Sequence, residues 1–211
     1  MRLNLAKILA AGSLVVALGC GAANAGSISF GLTTEFSGAT TPSGSPPYLR
    51  ATFTDVFGGV EIKLESLLNS SSEFVNVWYF NLDPVLDPNQ LSFSYVSGSP
   101  NSASISTGVN AFQADGDGLY DIEFDWPNGG GGRFNNADVV TYLITSTQII
   151  SAASFNHLSA PAGGHGPYVS AAHVQGIGDG GSGWITTPEP STSFLLAAGM
   201  IVIAARSRRR A

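Results

Sequence analysis

The chain has 211 residues, of which only 11% are charged, and its formal net charge is −6. Its single cysteine, Cys20, excludes an intrachain disulfide framework. An acidic balance repels phosphate backbones, so we expect no nucleic-acid partner.

The N-terminus has the features of a secretory signal. Two basic residues precede the apolar run 8–18, and Ala23 and Ala25 supply the small-x-small pattern that a signal peptidase cleaves. We therefore interpret residues 1–25 as a signal peptide that forms a signal helix, with the mature chain starting at Gly26.

The stretch between residues 26 and 187 is far more acidic than the whole chain. It contains three basic and 14 acidic residues, which gives a net charge of −11. Divalent cations are therefore more plausible partners of this stretch than anionic polymers.

The same stretch alternates β-branched and aromatic residues with Gly, Pro, Asn and Ser clusters, a pattern typical of short strands. Strands are predicted over 27–33, 50–57, 60–65, 74–80, 91–96, 119–126, 139–145 and 168–175. Gly58 and Gly59 are predicted to form a two-residue hairpin turn. The segment 74–80 is too apolar for a half-exposed strand and is expected to be central, whereas 148–155 favours a short helical turn.

These elements predict an all-β fold, an antiparallel two-sheet sandwich of jelly-roll-like type. We assign the sandwich ectodomain to residues 26–175. The glycine-rich segment 176–187 is predicted to be a linker. Residues 188–211 then form a separate C-terminal segment that ends in a short transmembrane helix.

One acidic stretch has the pattern of a metal loop. Asp115, Asp117 and Asp121 follow the D-x-D-G-x-x-D spacing of extracellular calcium loops, and Glu123 lies two residues further on. Calcium binds six to eight oxygen ligands, so carboxylates that a glycine turn brings together are candidate ligands. Asp and Gly also form turns, and a solvated acidic hairpin turn is the alternative.

Other chemistry has weaker support. His157, His165 and His173 lack a tight ligand spacing, which argues against zinc. Asp121, Glu123 and Asp125 would be the candidates for paired catalytic carboxylates, but their separation cannot be read from the sequence. We therefore predict no catalytic residues.

Four large aromatic side chains are candidates for stacking on sugar rings. They are Trp78, Tyr79, Trp126 and Trp184. Most large aromatic residues of a sandwich belong to its core, so only an exposed row of them on one sheet face would indicate a carbohydrate-binding module.

The C-terminal segment 188–211 has three parts in a fixed order. The first is the triplet Pro188, Glu189 and Pro190, whose prolines keep a helix from starting before them. The second is an apolar run, 194–205, whose anchoring residues are Phe194, Leu195, Leu196, Ile201, Val202 and Ile203. The third is a basic cluster that stays in the cytoplasm as a stop signal, formed by Arg206, Arg208, Arg209 and Arg210. A helix over the apolar run is roughly 18 Å long against a hydrocarbon core of about 30 Å, which favours a transient membrane anchor.

This segment resembles the PEP-CTERM sorting domain of bacterial exported proteins, which has the same triplet, hydrophobic helix and basic cluster. The resemblance implies recognition by an exosortase, a membrane protease that cuts near the triplet. It also implies a Gram-negative-type host that makes extracellular polysaccharide. The stretches 78–84, 115–122 and 172–178 resemble a body that recurs in such proteins and has no assigned activity.

We therefore expect an exported protein of the cell envelope, surface or matrix, associated with exopolysaccharide and biofilm and without enzymatic activity. Its expected partners are an exosortase, the membrane and extracellular polysaccharide, and calcium is its candidate cofactor. A carbohydrate-binding module is the alternative, and a polysaccharide hydrolase is a second one.

Overall fold

The computed structural model describes residues 26–188. The predicted signal peptide, with Ala23 and Ala25, lies outside the described residues, and so does the predicted anchor from Glu189 onward. No helix within residues 26–188 has the length and apolar character needed to cross a bilayer.

Strands dominate the described part of the chain. They are β1 (Ser27–Leu32), β2 (Thr34–Glu35), β3 (Leu49–Val56), β4 (Gly59–Ser66), β5 (Phe74–Phe80), β6 (Leu91–Ser99), β7 (Ser104–Ala114), β8 (Asp117–Asp125), β9 (Phe134–Asn135), β10 (Val139–Ser146), β11 (Ser170–Ile177) and β12 (Gly181–Thr186). Short 3-10 helices span Pro88–Gln90, Gly130–Gly132 and Ala152–Phe155. The last of these lies within the helical turn predicted over 148–155.

The strands form two antiparallel sheets. The first sheet has the order β1-β3-β4-β10-β6, and the second has the order β2-β12-β11-β5-β8-β7, with β9 paired to β5. The inner faces pack against each other, with ring centroids of Phe53 and Phe80 5.5 Å apart and those of Phe93 and Phe124 5.6 Å apart. The prediction of an all-β fold with two antiparallel sheets is confirmed.

The β3–β4 hairpin shows how local alternation becomes structure. Val60, Ile62 and Leu64 are buried, as their period-2 spacing predicts. The turn, however, consists of Phe57 and Gly58 rather than two glycines, and Gly59 is the first residue of β4. A Cβ at Gly59 would lie 2.1 Å from the Ile144 carbonyl oxygen, so glycine is needed there for the close approach of β10.

The prediction of a linker over 176–187 is wrong. The glycines at 178 and 180 have φ values of 56° and 98° and form the turn of a β11–β12 hairpin, so they mark a turn and not a tether. Thr186 is 1% exposed, and its hydroxyl donates to the Ser170 carbonyl at 2.7 Å. The sandwich therefore extends past residue 175 to the end of β12.

Two buried tryptophans offer a matched test of the core. The Trp78 indole N–H donates to Ser170 Oγ at 2.8 Å, whereas the Trp126 N–H has no partner within the described chain. Trp78→Phe and Trp126→Phe shrink the side chain equally, but only Trp78→Phe breaks a buried hydrogen bond. We expect Trp78→Phe to lower the free energy of unfolding by about 1 kcal/mol more than Trp126→Phe, as measured by urea denaturation. Equal losses would contradict the assigned role of the bond.

Candidate functional site

The tip of the acidic stretch is a hairpin turn. Asp115 and Gly116 have φ values of 55° and 79°, and Ala114 pairs with Asp117 across the turn. A two-residue turn with both residues in the left-handed region favours the pair Asp-Gly. The stretch therefore contains a hairpin turn, although Asp117 at its end is buried rather than solvated.

Asp117 supports a neighbouring loop. It is 6% exposed, and its Oδ1 accepts hydrogen bonds from the backbone N–H groups of Gly164 at 2.5 Å and His165 at 3.0 Å. Hydrogen bonds from two amides stabilise a buried carboxylate. Asp117 therefore holds the loop that contains residues 163–165 against β8.

Asp121 makes a similar connection in the middle of β8. One carboxylate oxygen accepts from the Leu82 amide at 3.0 Å and the other from the Asn110 amide at 2.8 Å. It lies beside a cavity of about 360 Å³ with mainly apolar walls. The cavity is lined by Asn81, Leu82, Pro84, Leu86, Pro88, Val109, Asn110, Asp121, His157, Leu158 and Ala160.

The predicted calcium ligands thus have separate roles. Asp117 and Asp121 bind different backbone segments, and Glu123 lies beside Tyr79 in the register of β8 with β5. No group of three or more His, Cys, Asp or Glu suited to a metal ion occurs in residues 26–188. Asp115, Asp117, Asp121 and Glu123 do not fit the calcium loop that their spacing suggests.

Glu123 and Asp125 lie on the outer face of the second sheet. They pair with Tyr79 and Val77 of β5 and with Ser106 and Ser104 of β7. Partial burial, and then the charge of Asp125, raise the pKa of the Glu123 carboxyl. Partial burial also raises the pKa of Asp125. Both groups therefore bind a proton more readily than free carboxyls do.

Beside these carboxylates the rings of several strands form a layer on the outer face. Its members are Tyr79, Phe112, Tyr120, His173 and Trp184, which we call the aromatic layer. The Tyr79 ring stacks with Phe112 at 5.9 Å, with Tyr120 at 5.4 Å and with Trp184 at 5.6 Å between centroids. Trp184 in turn stacks with His173 at 4.8 Å.

The aromatic layer is only partly accessible. Tyr79 and Tyr120 are buried, whereas Phe112, His173 and Trp184 are half-buried. Among the four sugar-stacking candidates of the sequence, Trp78 and Trp126 are 0% and 1% exposed core residues. Trp184 is thus the candidate with an accessible surface. His173 stacks on Trp184, and Phe112 and Trp184 both stack on Tyr79. Because these rings belong to strands that are distant in sequence, only the strand register reveals that they lie together.

The three histidines occupy different environments. His157 lies 3.6 Å from an Asp83 carboxylate oxygen, whereas His165 packs near the Phe36 ring. His173 Nδ1 lies 2.7 Å from Asn76 Oδ1, so this nitrogen carries the proton when the amide oxygen accepts. Burial lowers the pKa of His173, which favours its neutral form.

Comparison with known families identifies the C-terminal segment. Residues 186–210 match the PEP-CTERM protein-sorting motif, as the sequence resemblance predicts. The chain therefore carries the sorting motif of exosortase-processed, extracellular bacterial proteins, with the membrane anchoring that such processing implies. No similar curated protein and no similar solved structure was found.

The two carboxylates Asp121 and Asp125 of β8 form a matched pair for mutation. Asp121→Asn removes a charge-assisted acceptor from two backbone amides, so we expect a loss of about 1.5–3 kcal/mol in the free energy of unfolding. Asp125→Asn removes a carboxylate whose charged form the fold disfavours, and we expect it to stabilise the protein at pH 7.

The pH dependence of the Asp125→Asn variant follows from the direction in which the fold shifts the pKa of Asp125. A group whose pKa is raised in the folded state favours folding at low pH and destabilises the fold once it ionises. The stabilisation by Asp125→Asn should therefore disappear when the pH falls below 3.8, the ordinary pKa of aspartate. Melting temperatures at pH 7 and at a pH below 3.8 measure this difference in stability. An increase in stability on Asp121→Asn would contradict the anchoring role of Asp121.

Proposed function

We propose that this chain is an exosortase-sorted cell-surface or extracellular-matrix protein that associates with exopolysaccharide in a biofilm and acts without catalysis. The observation that carries the proposal is the sorting motif at residues 186–210. The motif begins at the last residue of β12, so the predicted delivery signal joins directly onto the folded cargo.

The arrangement of carboxylates supports a non-enzymatic role. Glycoside hydrolysis requires two carboxyl groups on either side of the scissile bond. Glu123 and Asp125 lie two residues apart on one face of the sheet, and neither of them lines the cavity beside Asp121. Asp121, beside the cavity, already accepts hydrogen bonds from two amides.

The sorting proposal is tested by removing residues 189–211, which leaves β12 intact. We expect the full chain to fractionate with the cell envelope or the matrix and the shortened chain to lose that retention, because it lacks the apolar run and the basic stop. A variant with Lys in place of Arg206, Arg208, Arg209 and Arg210 is the matched control, since it keeps the charge. Unchanged retention of the shortened chain would overturn the proposal.

The aromatic layer favours a second candidate function, carbohydrate binding by the outer face of the second sheet. Sugar rings have apolar faces that pack on aromatic rings, and their hydroxyls bind carboxylates and amides. Trp184, His173 and Phe112 offer half-buried rings, and Glu123 and Asp125 lie on the same face. Because the domain is acidic, a neutral polysaccharide suits this face better than an anionic one.

Trp184→Ala tests the second candidate. We expect it to weaken binding of neutral polysaccharide by about fivefold, the order of magnitude of one lost ring contact, in affinity electrophoresis through polysaccharide gels. Phe57→Ala is the matched control because Phe57 is 105% exposed at the tip of the β3–β4 hairpin. Equal mobility of the two variants, both with unaltered melting temperatures, would exclude the aromatic layer as the contact surface.

A further inference from the structure

The described domain has two edge strands, β6 and β7, with no charge on them. Residues 88–114, which include β6 and β7, contain no Asp, Glu, Lys, Arg or His in a run of 27 residues. The neighbouring strand β10 is also uncharged. In a domain with a net charge of −11, this is the surface on which a second acidic copy meets the least repulsion.

The β6 edge, residues 91–99, is open within the described structure. β6 pairs only with β10, at the end of the first sheet, and residues 94–99 are all exposed. The opposite edge strand, β1, contacts β11, β12 and the 3-10 helix at Ala152–Phe155. One side of the sandwich is thus closed by contacts, whereas the side that carries β6 is open.

The β6 edge has few of the features that usually prevent edge pairing. Proteins protect edge strands with short length, lysines, prolines, β-bulges or inward-facing charges. β6 has nine residues, LSFSYVSGS, and one bulge at Val96 in its ladder with β10, but no lysine, proline or charge. Its exposed apolar side chains, Tyr95 and Val96, are 45% and 46% accessible. Tyr95 Oη donates to the Gly98 carbonyl at 2.8 Å, which satisfies one acceptor near the end of the strand.

A groove of about 410 Å³ beside the β6 edge adds an independent observation. It separates β6 from β7 and is lined by Phe93, Tyr95, Ile105, Thr107 and Tyr142, among others. Tyr142 is 3% exposed, and its buried hydroxyl has no partner within the described residues. A second strand at this edge would bring its backbone polar groups beside a groove whose exposed lining is mostly polar.

Strand β7 is a poorer template than β6. Its ladder with β8 is broken by two register shifts around Phe112, against one in the ladder of β6 with β10, and the Asn110 amide is already bound by Asp121. Beyond it, β8 carries Glu123 and Asp125, so two copies joined at β7 would bring four carboxylates near one another. Joined at β6, they bring together only the uncharged strands β6 and β10.

We propose that the ectodomain self-associates through its β6 edge, with β6 of one copy pairing antiparallel to β6 of a second copy about a twofold axis. The pairing extends the five-stranded sheet into one of ten strands. It satisfies the free backbone groups of both edges and covers Tyr95 and Val96. Such isologous contacts close as dimers, which would present two outer faces of the second sheet from one assembly.

The test uses the full chain in a non-ionic detergent, with mass measured by sedimentation equilibrium. One variant carries Ser94→Lys and Val96→Lys, and a second carries Ser94→Glu and Val96→Glu. We expect the unaltered chain to be a dimer and each charged variant to associate more than about tenfold more weakly, because like charges face each other across the axis. An equimolar mixture of the two variants should recover the dimer.

The matched control carries Phe57→Lys and Ile149→Lys, which make the same change in charge at residues that are 105% and 96% exposed and lie off the edge. It should dimerise like the unaltered chain. Hydrogen exchange of the unaltered chain should slow within residues 92–98 as its concentration rises, a readout that needs no variant. A monomeric unaltered chain, or dimers that persist in both charged variants, would overturn the proposal.

Discussion

Strand β5 is the constraint on which the rest of the domain depends, because both of its faces are covered. Trp78 and Phe80 face the first sheet and belong to the main core, whereas Val77 and Tyr79 face outward and pack in the aromatic layer. Backbone polar groups buried in this way must be paired. β5 pairs with β11 on one side and with β8 and β9 on the other, so its neighbours are fixed in register and carry their outer side chains to one surface.

The acidic side chains near β5 and its neighbouring strands act largely as acceptors of hydrogen bonds from backbone amides. Asp117 and Asp121 bind amides of segments distant in sequence, and Asp55 accepts from the Ala152 amide at 2.6 Å. A carboxylate so used has fewer lone pairs left for a cation. The high acidity of the ectodomain therefore has a structural component, and the spacing of its aspartates is a poor guide to metal binding.

The sequence predicts the parts of the fold that depend on local alternation. Val60, Ile62 and Leu64 define β4, and the apolar run of β5 marks it as central. It does not predict β7, whose Ser and Gly residues lack that signal, or β12, because the glycines before and within it suggest a linker although they build a turn. The aromatic layer also escapes prediction, because Tyr79, Phe112 and Trp184 meet only through the register of distant strands. The sorting motif is predicted fully because its three parts are contiguous.

The short distance between β12 and the Pro-Glu-Pro triplet limits how a protease can approach. Thr186 is held by Ser170 through its hydroxyl and accepts a hydrogen bond from the Thr33 amide at 2.8 Å. The four residues from Thr187 to Pro190 span at most roughly 14 Å when extended. Some enzymes bind several residues before the cleavage site in a deep channel. Such an enzyme could cleave at the triplet only after β12 had separated from β2 and β11. An enzyme with a shallow active site at the bilayer surface could cleave while the cargo stays folded.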